Sequence, residues 1–170
     1  LAYARLIAEN FADSGCQIIL EPGRLIAANA GILVTRVIRT KQGQAKNFMI
    51  VDAAMTELVR PTLYGAHHDI GLVQQRDGDM LAWDVVGPVC ESGDFLGLAR
   101  DLPELEPGGL LAVFSAGAYG AVLGSSYNTR PAAPEVLVDG ARHDVVRNRP
   151  SYADMLAGEK LPDWLDTGAG

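Results

Sequence analysis

The fold is decided by the stretch Ile32-Leu33-Val34-Thr35-Arg36-Val37-Ile38, a run of apolar and β-branched residues around one arginine that is typical of a β-strand. Further runs of this kind follow towards the C-terminus. They are Phe48–Val51, Gly71–Val73, Leu81–Val86, Leu110–Phe114 and Glu135–Val138. Turn signals such as Asp139-Gly140 separate them. The pattern predicts a mainly β structure, a mostly antiparallel barrel or sandwich over residues 32–150.

The segment before this sheet has a different character. Residues Leu1–Asn10 carry apolar side chains at helical spacing, and Ser14-Gly15 is typical of a helix end. Gln17–Leu20 is a short apolar run that favours a buried parallel strand, and Leu25–Gly31 is rich in alanine and favours the start of a helix. Residues 1–31 are therefore predicted to form one α/β unit.

The C-terminal part, residues 151–170, is predicted to be a short helical segment and a tail. Pro150-Ser151 is a helix start signal, and the residues that follow it, Tyr152–Leu156, favour a closing helical turn. The sequence thus divides into an α/β unit, a β-domain and a closing segment.

Length and charge exclude several classes of protein. The chain has 170 residues, 48% hydrophobic and 21% charged, which excludes disorder and collagen. This length falls short of the roughly 250 residues of a complete (β/α)8 barrel. The net charge of −7, from 14 Lys and Arg against 21 Asp and Glu, gives no electrostatic reason to expect nucleic acid or an anionic membrane as partner.

The cysteines and the N-terminal sequence give an expectation for the cellular location. Cys16 and Cys90 are too few and too far apart to indicate a disulfide framework or a zinc site. The chain has neither a signal-peptide pattern nor a run near the roughly 18 apolar residues of a membrane span. We therefore expect a cytoplasmic protein with no metal site. Because the chain starts at Leu1 and inside a helical pattern, we also expect a segment upstream of it.

A possible ligand site follows the predicted strand, at the end where α/β units bind ligands. Here Gly23 lets a backbone N–H approach an anion, Arg24 adds a forked cation and Glu21 adds a carboxylate. A Pro-Gly turn between solvated charges would explain the same residues.

A second candidate is Arg60-Pro61-x-x-Tyr64, in which a guanidinium and a phenol can together hold a carboxylate. A loop ion pair and a packed tyrosine are the alternative. His67 and His68 follow, and adjacent histidines on a strand face opposite sides, so they are poor joint metal ligands. Structural or solvated roles are predicted for both histidines.

Two further loops carry reactive side chains. Cys90 stands before Glu91 and Asp94, and a thiol beside carboxylates is a poor nucleophile and a reasonable proton donor. A half-buried small residue is the alternative. Ser115–Gly120 is a loop of small residues around Tyr119, suited to a hydroxyl contact with a phosphate or a carboxylate, or to a tight packing turn.

In this order, and followed by Ser125-Ser126-Tyr127-Asn128, the motifs resemble the C-terminal part of the diaminopimelate decarboxylase family. The resemblance extends over nearly the whole chain. Members are fold-type III, alanine-racemase-like enzymes whose (β/α)8 barrel carries pyridoxal 5'-phosphate and whose C-terminal β-domain completes the site across a homodimer interface. The implied fold is the last α/β unit of that barrel followed by the β-domain.

The resemblance also implies roles for single residues at the cofactor. Glu21 matches the carboxylate that pairs with the pyridine nitrogen. Gly23 and Arg24 match contacts to the cofactor phosphate, and Arg24 also matches a substrate contact. Tyr119 matches a contact to both cofactor and substrate.

At the substrate, Arg60 and Tyr64 match the groups that hold the carboxylate at the end of the substrate that is not decarboxylated. Cys90 matches the catalytic proton donor that acts after carbon dioxide leaves. Glu91 matches a substrate contact, and both residues are implied to reach into the site of the partner subunit.

The implied reaction converts meso-2,6-diaminopimelate into L-lysine and carbon dioxide, the last step of lysine biosynthesis. Glu91, Arg60 and Tyr64 favour a dicarboxylic substrate, because the related ornithine decarboxylases carry Asp after the Cys and lack the Arg-Pro-x-x-Tyr motif. A decarboxylase of another amino acid, ornithine-like, arginine-like or carrier-bound, is one alternative. A stand-alone β-domain that serves binding or assembly is another.

The family's Schiff-base lysine matches no residue of this chain. It belongs to the barrel, upstream of Leu1, whereas Lys41 and Lys46 flank a turn and Lys160 lies in the closing segment. We therefore expect these 170 residues alone to be inactive and to bind pyridoxal phosphate weakly or not at all.

Overall fold

The computed structural model describes residues 2–165; Leu1 and residues 166–170 lie outside it. Three α-helices, three short 3-10 helices and eight strands make up the regular structure of the described residues. The α-helices are α1 (Ala2–Phe11), α2 (Arg60–Tyr64) and α3 (Tyr152–Leu156). The strands are β1 (Leu33–Gln42), β2 (Asn47–Val51), β3 (Ile70–Leu72), β4 (Met80–Val86), β5 (Phe95–Pro103), β6 (Leu110–Val113), β7 (Glu135–Asp139) and β8 (Arg142–Arg147).

Six of these strands form one sheet in the order β3-β6-β1-β2-β4-β5. Neighbouring strands are antiparallel except β2 and β4, which run parallel. The two edge strands come together, since a Cβ atom on Gly97 in β5 would lie 3.0 Å from Cδ1 of Ile70 in β3. The sheet is therefore a nearly closed barrel, and the predicted mainly β, mostly antiparallel class is confirmed.

Apolar side chains from the sheet fill the interior of this barrel. Trp83, Met49, Leu96 and Leu111 are fully buried, and together with Leu58 they form the centre of one cluster. Burying each side chain of this size stabilises the fold by about 1.5–3 kcal/mol. The indole N–H of Trp83 donates to the backbone oxygen of Leu102 at 3.0 Å, so the one polar atom of that ring is also satisfied.

The remaining strands, β7 and β8, form a separate antiparallel hairpin. Its turn is Gly140-Ala141, directly after Asp139 of the predicted Asp139-Gly140 turn signal, and Gly140 has φ +61°. The predicted helix start at Ser151 is also confirmed. The Ser151 hydroxyl accepts from the Asp154 N–H at 3.1 Å. The Asp154 carboxylate in turn accepts from the Ser151 hydroxyl at 2.6 Å and from the Ser151 N–H at 2.8 Å, and these two bonds lower the pKa of the Asp154 carboxyl.

Several sequence-based elements differ from the structure. The strand predicted over Gln17–Leu20 is not formed among the described residues, because a parallel strand needs hydrogen bonds from neighbouring strands. The helix start predicted over Leu25–Gly31 is a turn that ends in a short 3-10 segment, Ala28–Ala30. Strands β5 and β8 have charged residues among the apolar ones, so their sequences lack the pattern that identified the other strands.

The helix α1 confirms the helix predicted at the N-terminus. None of its described residues is buried. Within residues 2–165 no helix has the length and apolar character needed to cross a membrane.

Candidate functional site

The site is built around a close backbone contact between the turn that precedes β1 and the loop that follows β6. Gly117 N–H donates to the backbone oxygen of Ala28 at 3.0 Å, and Ala116 N–H donates to that of Gly31 at 2.9 Å. A Cβ atom on Gly117 would collide with the backbone oxygen of Ala27, and one on Gly31 would lie 2.6 Å from Gly117 Cα. Both positions therefore require glycine.

This contact brings Arg24 and Tyr119 together. An Nη of Arg24 donates to the backbone oxygen of Ser115 at 3.2 Å. The Tyr119 hydroxyl lies 3.6 Å from the position that a Cβ of Gly23 would take. Ser115 and Tyr119 have φ of +57° and +56°, a left-handed conformation that is uncommon for residues other than glycine and that clusters at ligand sites.

Arg24 also has an unused hydrogen-bond donor. Its Nε is buried and has no hydrogen-bond partner among the atoms of residues 2–165. A buried guanidinium N–H without an acceptor is costly, and an anionic group would satisfy it.

Helix α2 adds Arg60 and Tyr64 to the same place. Pro61 stands in the first turn, where its missing N–H costs nothing, and Gly65 ends the helix with φ +60°. The i, i+4 spacing puts Arg60 and Tyr64 on one face. The guanidinium carbon of Arg60 lies 5.7 Å from the ring centre of Tyr64 and 6.0 Å from that of Tyr119, within cation–π range.

The sequence predicts a break in regular structure at Pro61, and the helix itself was not predicted. A five-residue helix is too short to show an apolar period. The proline in the first turn and the glycine at the end were the available signals.

His68 lies behind Arg60 and is buried. Its Nδ1 is 2.9 Å from the backbone oxygen of Phe114, which can only accept, so Nδ1 carries the proton. Its Nε2 then accepts from Nε of Arg60 at 3.4 Å. Burial lowers the pKa of His68 below its ordinary value of 6.5, and the charges of Arg24 and Arg60 act in the same direction, partly opposed by the hydrogen bond to Phe114.

Cys90 and Glu91 occupy a separate turn between β4 and β5. The buried Asp94 carboxylate holds this turn by accepting from the N–H of Met55 at 2.7 Å and from that of Val89 at 2.6 Å. The Thr62 hydroxyl donates to the backbone oxygen of Gly93 and so attaches the turn to α2. Both Cys90 and Glu91 are exposed.

Asp94 is thus a structural residue of this turn. Sequence reasoning counted it only as one of the carboxylates that follow Cys90. Its place directly after a turn with a glycine was the signal, because a short carboxylate there can accept from backbone N–H groups.

We use the name arginine cluster for the residues that the structure brings together. They are Gly23, Arg24, Arg60, Tyr64, His68 and Tyr119. Glu21 is exposed two residues before Gly23, and the turn of Cys90 and Glu91 is joined to the cluster through α2. The described residues contain no group of three or more His, Cys, Asp or Glu side chains that could hold a metal ion.

The side chains of the cluster are chemically suited to an anion. Two guanidinium groups converge there, and a neutral imidazole and two phenols lie beside them. Nearly all of their available groups are donors or π faces, so a carboxylate or a phosphate is the ligand that fits.

Comparison with known proteins agrees with this geometry. Residues 12–117 match the family described as the pyridoxal-dependent decarboxylase, C-terminal sheet domain. The chain belongs to this family. The resemblance predicted from the motifs is thereby confirmed.

Diaminopimelate decarboxylases of other organisms are similar to most of this chain. The diaminopimelate decarboxylase of Pseudomonas aeruginosa is 51% identical over 159 residues, which is 94% of this chain and 38% of that protein. The one of Archaeoglobus fulgidus is 49% identical over 150 residues, 88% of this chain and 36% of that protein. The chain therefore spans well under half the length of these relatives.

A solved structure gives the same correspondence. The crystal structure of diaminopimelate decarboxylase from Helicobacter pylori complexed with L-lysine is 40% identical, with a TM-score of 0.80. The similarity covers 92% of this chain and 38% of that one. The β-barrel is therefore the C-terminal sheet domain of this decarboxylase fold.

We expect Gly117→Ala to lower the free energy of unfolding by about 1–3 kcal/mol, because the added methyl group collides with backbone atoms of the turn before β1. Urea unfolding measures the change. Gly158→Ala is the control, since a Cβ there meets no atom within 4 Å, and a change of roughly 0.5 kcal/mol or less is expected. Equal effects of the two substitutions would contradict the close contact.

The buried His68 predicts a pH dependence of stability. The unfolded chain takes up a proton at this residue near pH 6.5, whereas the folded chain takes it up at a lower pH. The contribution of His68 is therefore complete above pH 6.5 and is lost as the pH falls towards the folded pKa. Urea unfolding across this range should show a pH dependence that His68→Gln reduces and that the exposed-residue control His143→Gln leaves unchanged.

Proposed function

We propose that this chain is the C-terminal part of a diaminopimelate decarboxylase, which converts meso-2,6-diaminopimelate into L-lysine and carbon dioxide with pyridoxal 5'-phosphate as cofactor. The arginine cluster is the observation that carries the proposal. Relatives that are 49–51% identical carry this name, and the chain corresponds to 36–38% of their length.

Arg60 and Tyr64 are proposed to bind the carboxylate at the end of diaminopimelate that is not decarboxylated. Among the described residues, Nε is the only side-chain group of Arg60 with a hydrogen-bond partner, His68. The Nη groups are therefore available for two parallel hydrogen bonds to a carboxylate, and the Tyr64 hydroxyl can add a third. A diamine or monocarboxylic substrate has no group for this position.

The cluster also fits the phosphate of pyridoxal phosphate. The unpartnered buried Nε of Arg24 calls for an anion, and the space beside Gly23 is bordered by the Tyr119 hydroxyl. Gly23 and Arg24 would hold the phosphate, Tyr119 would contact cofactor and substrate, and Glu21 would keep the ring nitrogen protonated. When bound, the cofactor accepts the electron pair that carbon dioxide leaves behind.

Cys90 and Glu91 are proposed to act in the site of the partner subunit of a homodimer. Their turn is held rigidly while the two side chains are exposed, which fits groups presented to another surface. The Cys90 thiol would donate the proton that replaces the lost carboxyl group, and the Glu91 carboxylate would contact the substrate.

The N-terminal segment is proposed to belong to the cofactor-binding barrel of the longer protein. Its apolar side chains Ile19, Leu25 and Ile26 are each 75–76% exposed, which fits packing against further barrel elements. Residues 1–31 would then be the last α/β unit, residues 32–150 the β-domain and residues 151–170 the closing segment. The reaction is a step of amino-acid biosynthesis, for which we expect a cytoplasmic location.

Substrate profiling of the full-length protein tests the proposed function. With pyridoxal phosphate added, we expect release of carbon dioxide from meso-diaminopimelate to be faster than from ornithine or arginine. L-Lysine should accumulate in equal amount. Faster turnover of ornithine would refute the assignment.

In the same protein, we expect Arg60→Met to lower kcat/KM for meso-diaminopimelate about 100-fold or more, because a charge-assisted pair with the distal carboxylate is lost. Arg142→Met is the matched control, since Arg142 is exposed on the hairpin, and its kcat/KM should stay near that of the wild type. A small effect of Arg60→Met would mean that another residue binds that carboxylate.

A further inference from the structure

His68 is a buried histidine that has no role in the proposed reaction. Its side chain is 1% exposed and lies between the Arg60 guanidinium and the backbone oxygen of Phe114. Its neighbour His67 faces outward, where its ring nitrogens meet Arg100 at 2.7 Å and Asp69 at 2.9 Å. The two adjacent histidines therefore have different environments.

We propose that His68 is a positioning residue that holds Arg60 in the orientation that binds the distal carboxylate of the substrate. The contact that does this is the hydrogen bond from Arg60 Nε to His68 Nε2. The inference rests on the proposed function of Arg60.

The sheet fixes the imidazole ring. Phe114, whose backbone oxygen accepts from His68 Nδ1, donates its own N–H to the backbone oxygen of Asp69 at 2.8 Å. The next residues along, Ile70 and Val113, are paired in the ladder between β3 and β6. Because Asp69, which follows His68, and Phe114, which the ring contacts, are both joined to the barrel, Nε2 of His68 is a rigidly placed acceptor.

A neutral acceptor is the chemically useful choice at this position. A carboxylate would also hold Arg60, but it would neutralise the guanidinium and compete with the carboxylate of the substrate. A neutral imidazole engages Nε and leaves the full positive charge for the ligand. The cation–π contacts with Tyr64 and Tyr119 likewise orient Arg60 without neutralising it.

The surrounding charges favour this neutral form of His68. Arg24 faces it from the turn before β1, Arg60 from α2 and His67 from its own segment, and all three disfavour a proton on Nε2. A protonated His68 could not accept from Arg60 and would repel it. Affinity for a carboxylate ligand should therefore fall in acid.

Two substitutions separate positioning from a merely structural role. In His68→Gln the side-chain oxygen can take the place of Nε2 and accept from Arg60. In His68→Asn the amide can take the place of Nδ1 and donate to Phe114, but it is too short to reach Arg60. A positioning role predicts that His68→Asn is the more harmful change to ligand binding, and a structural role predicts the opposite.

The measurements are made on the full-length protein with pyridoxal phosphate. For His68→Asn we expect KM for meso-diaminopimelate and Kd for L-lysine, by calorimetry, to rise about 10-fold, with kcat within about twofold of wild type. His68→Gln should stay within about threefold in all three. The inhibition constant of 1,5-diaminopentane, which has no carboxylate, should stay the same in both variants.

The outcomes distinguish this inference from the proposed function. If the wild type does not decarboxylate meso-diaminopimelate, the proposed function fails. If it does, but His68→Asn binds L-lysine like the wild type, or His68→Gln binds it worse than His68→Asn, the positioning role is overturned.

A measurement on the wild type applies even if neither variant folds. The ¹⁵N spectrum of the His68 ring at neutral pH should show a neutral imidazole with its proton on Nδ1. A ring protonated on Nε2, or on both nitrogens, would overturn the proposal, because neither form can accept from Arg60.

Discussion

The arrangement of the site depends on the backbone contact between Gly117 and the turn before β1. Hydrogen bonds across this contact hold two segments that are about ninety residues apart in the sequence. One segment carries Arg24, and the other carries Tyr119 in a left-handed conformation that a free loop would rarely adopt. Since no side chain fits between the two backbones, the absence of a Cβ at Gly31 and Gly117 is what allows the segments of Arg24 and Tyr119 to meet.

Electrostatics then determine what the assembled site can bind. Arg24 and Arg60 repel each other, and a carboxylate between them would relieve the repulsion and also abolish the affinity for anions. The fold supplies neutral contacts instead, namely a backbone oxygen for Arg24 and an imidazole and two aromatic rings for Arg60. The cluster thus keeps its positive charge for a ligand. The repulsion between the two guanidinium groups destabilises the folded chain, and the stability of the barrel offsets this cost.

Much of this arrangement could be predicted from the sequence, because the relevant signals are local. The apolar runs identify β2, β4 and β6. The motifs contain Arg24, Arg60, Tyr64 and Tyr119, which the structure brings together. The parts that could not be predicted depend on distant neighbours. Gln17–Leu20 has the composition of a strand and no strand to pair with among the described residues, and β5 is a strand although charged residues interrupt it. The ring orientation of His68 depends on Phe114, which is 46 residues away in the sequence.

The separation of Cys90 and Glu91 from the arginine cluster has a physical consequence of its own. Asp94 and Thr62 fix the backbone of their turn, so its conformational entropy is already lost when the chain folds. A rigid turn that presents exposed functional side chains can enter another site with little further entropic cost. Because this turn is attached to α2, that one helix sets the position of both the turn and Arg60. In the homodimer that we propose, an α2 that is well placed for its own site would also place Cys90 well for the site of the partner subunit.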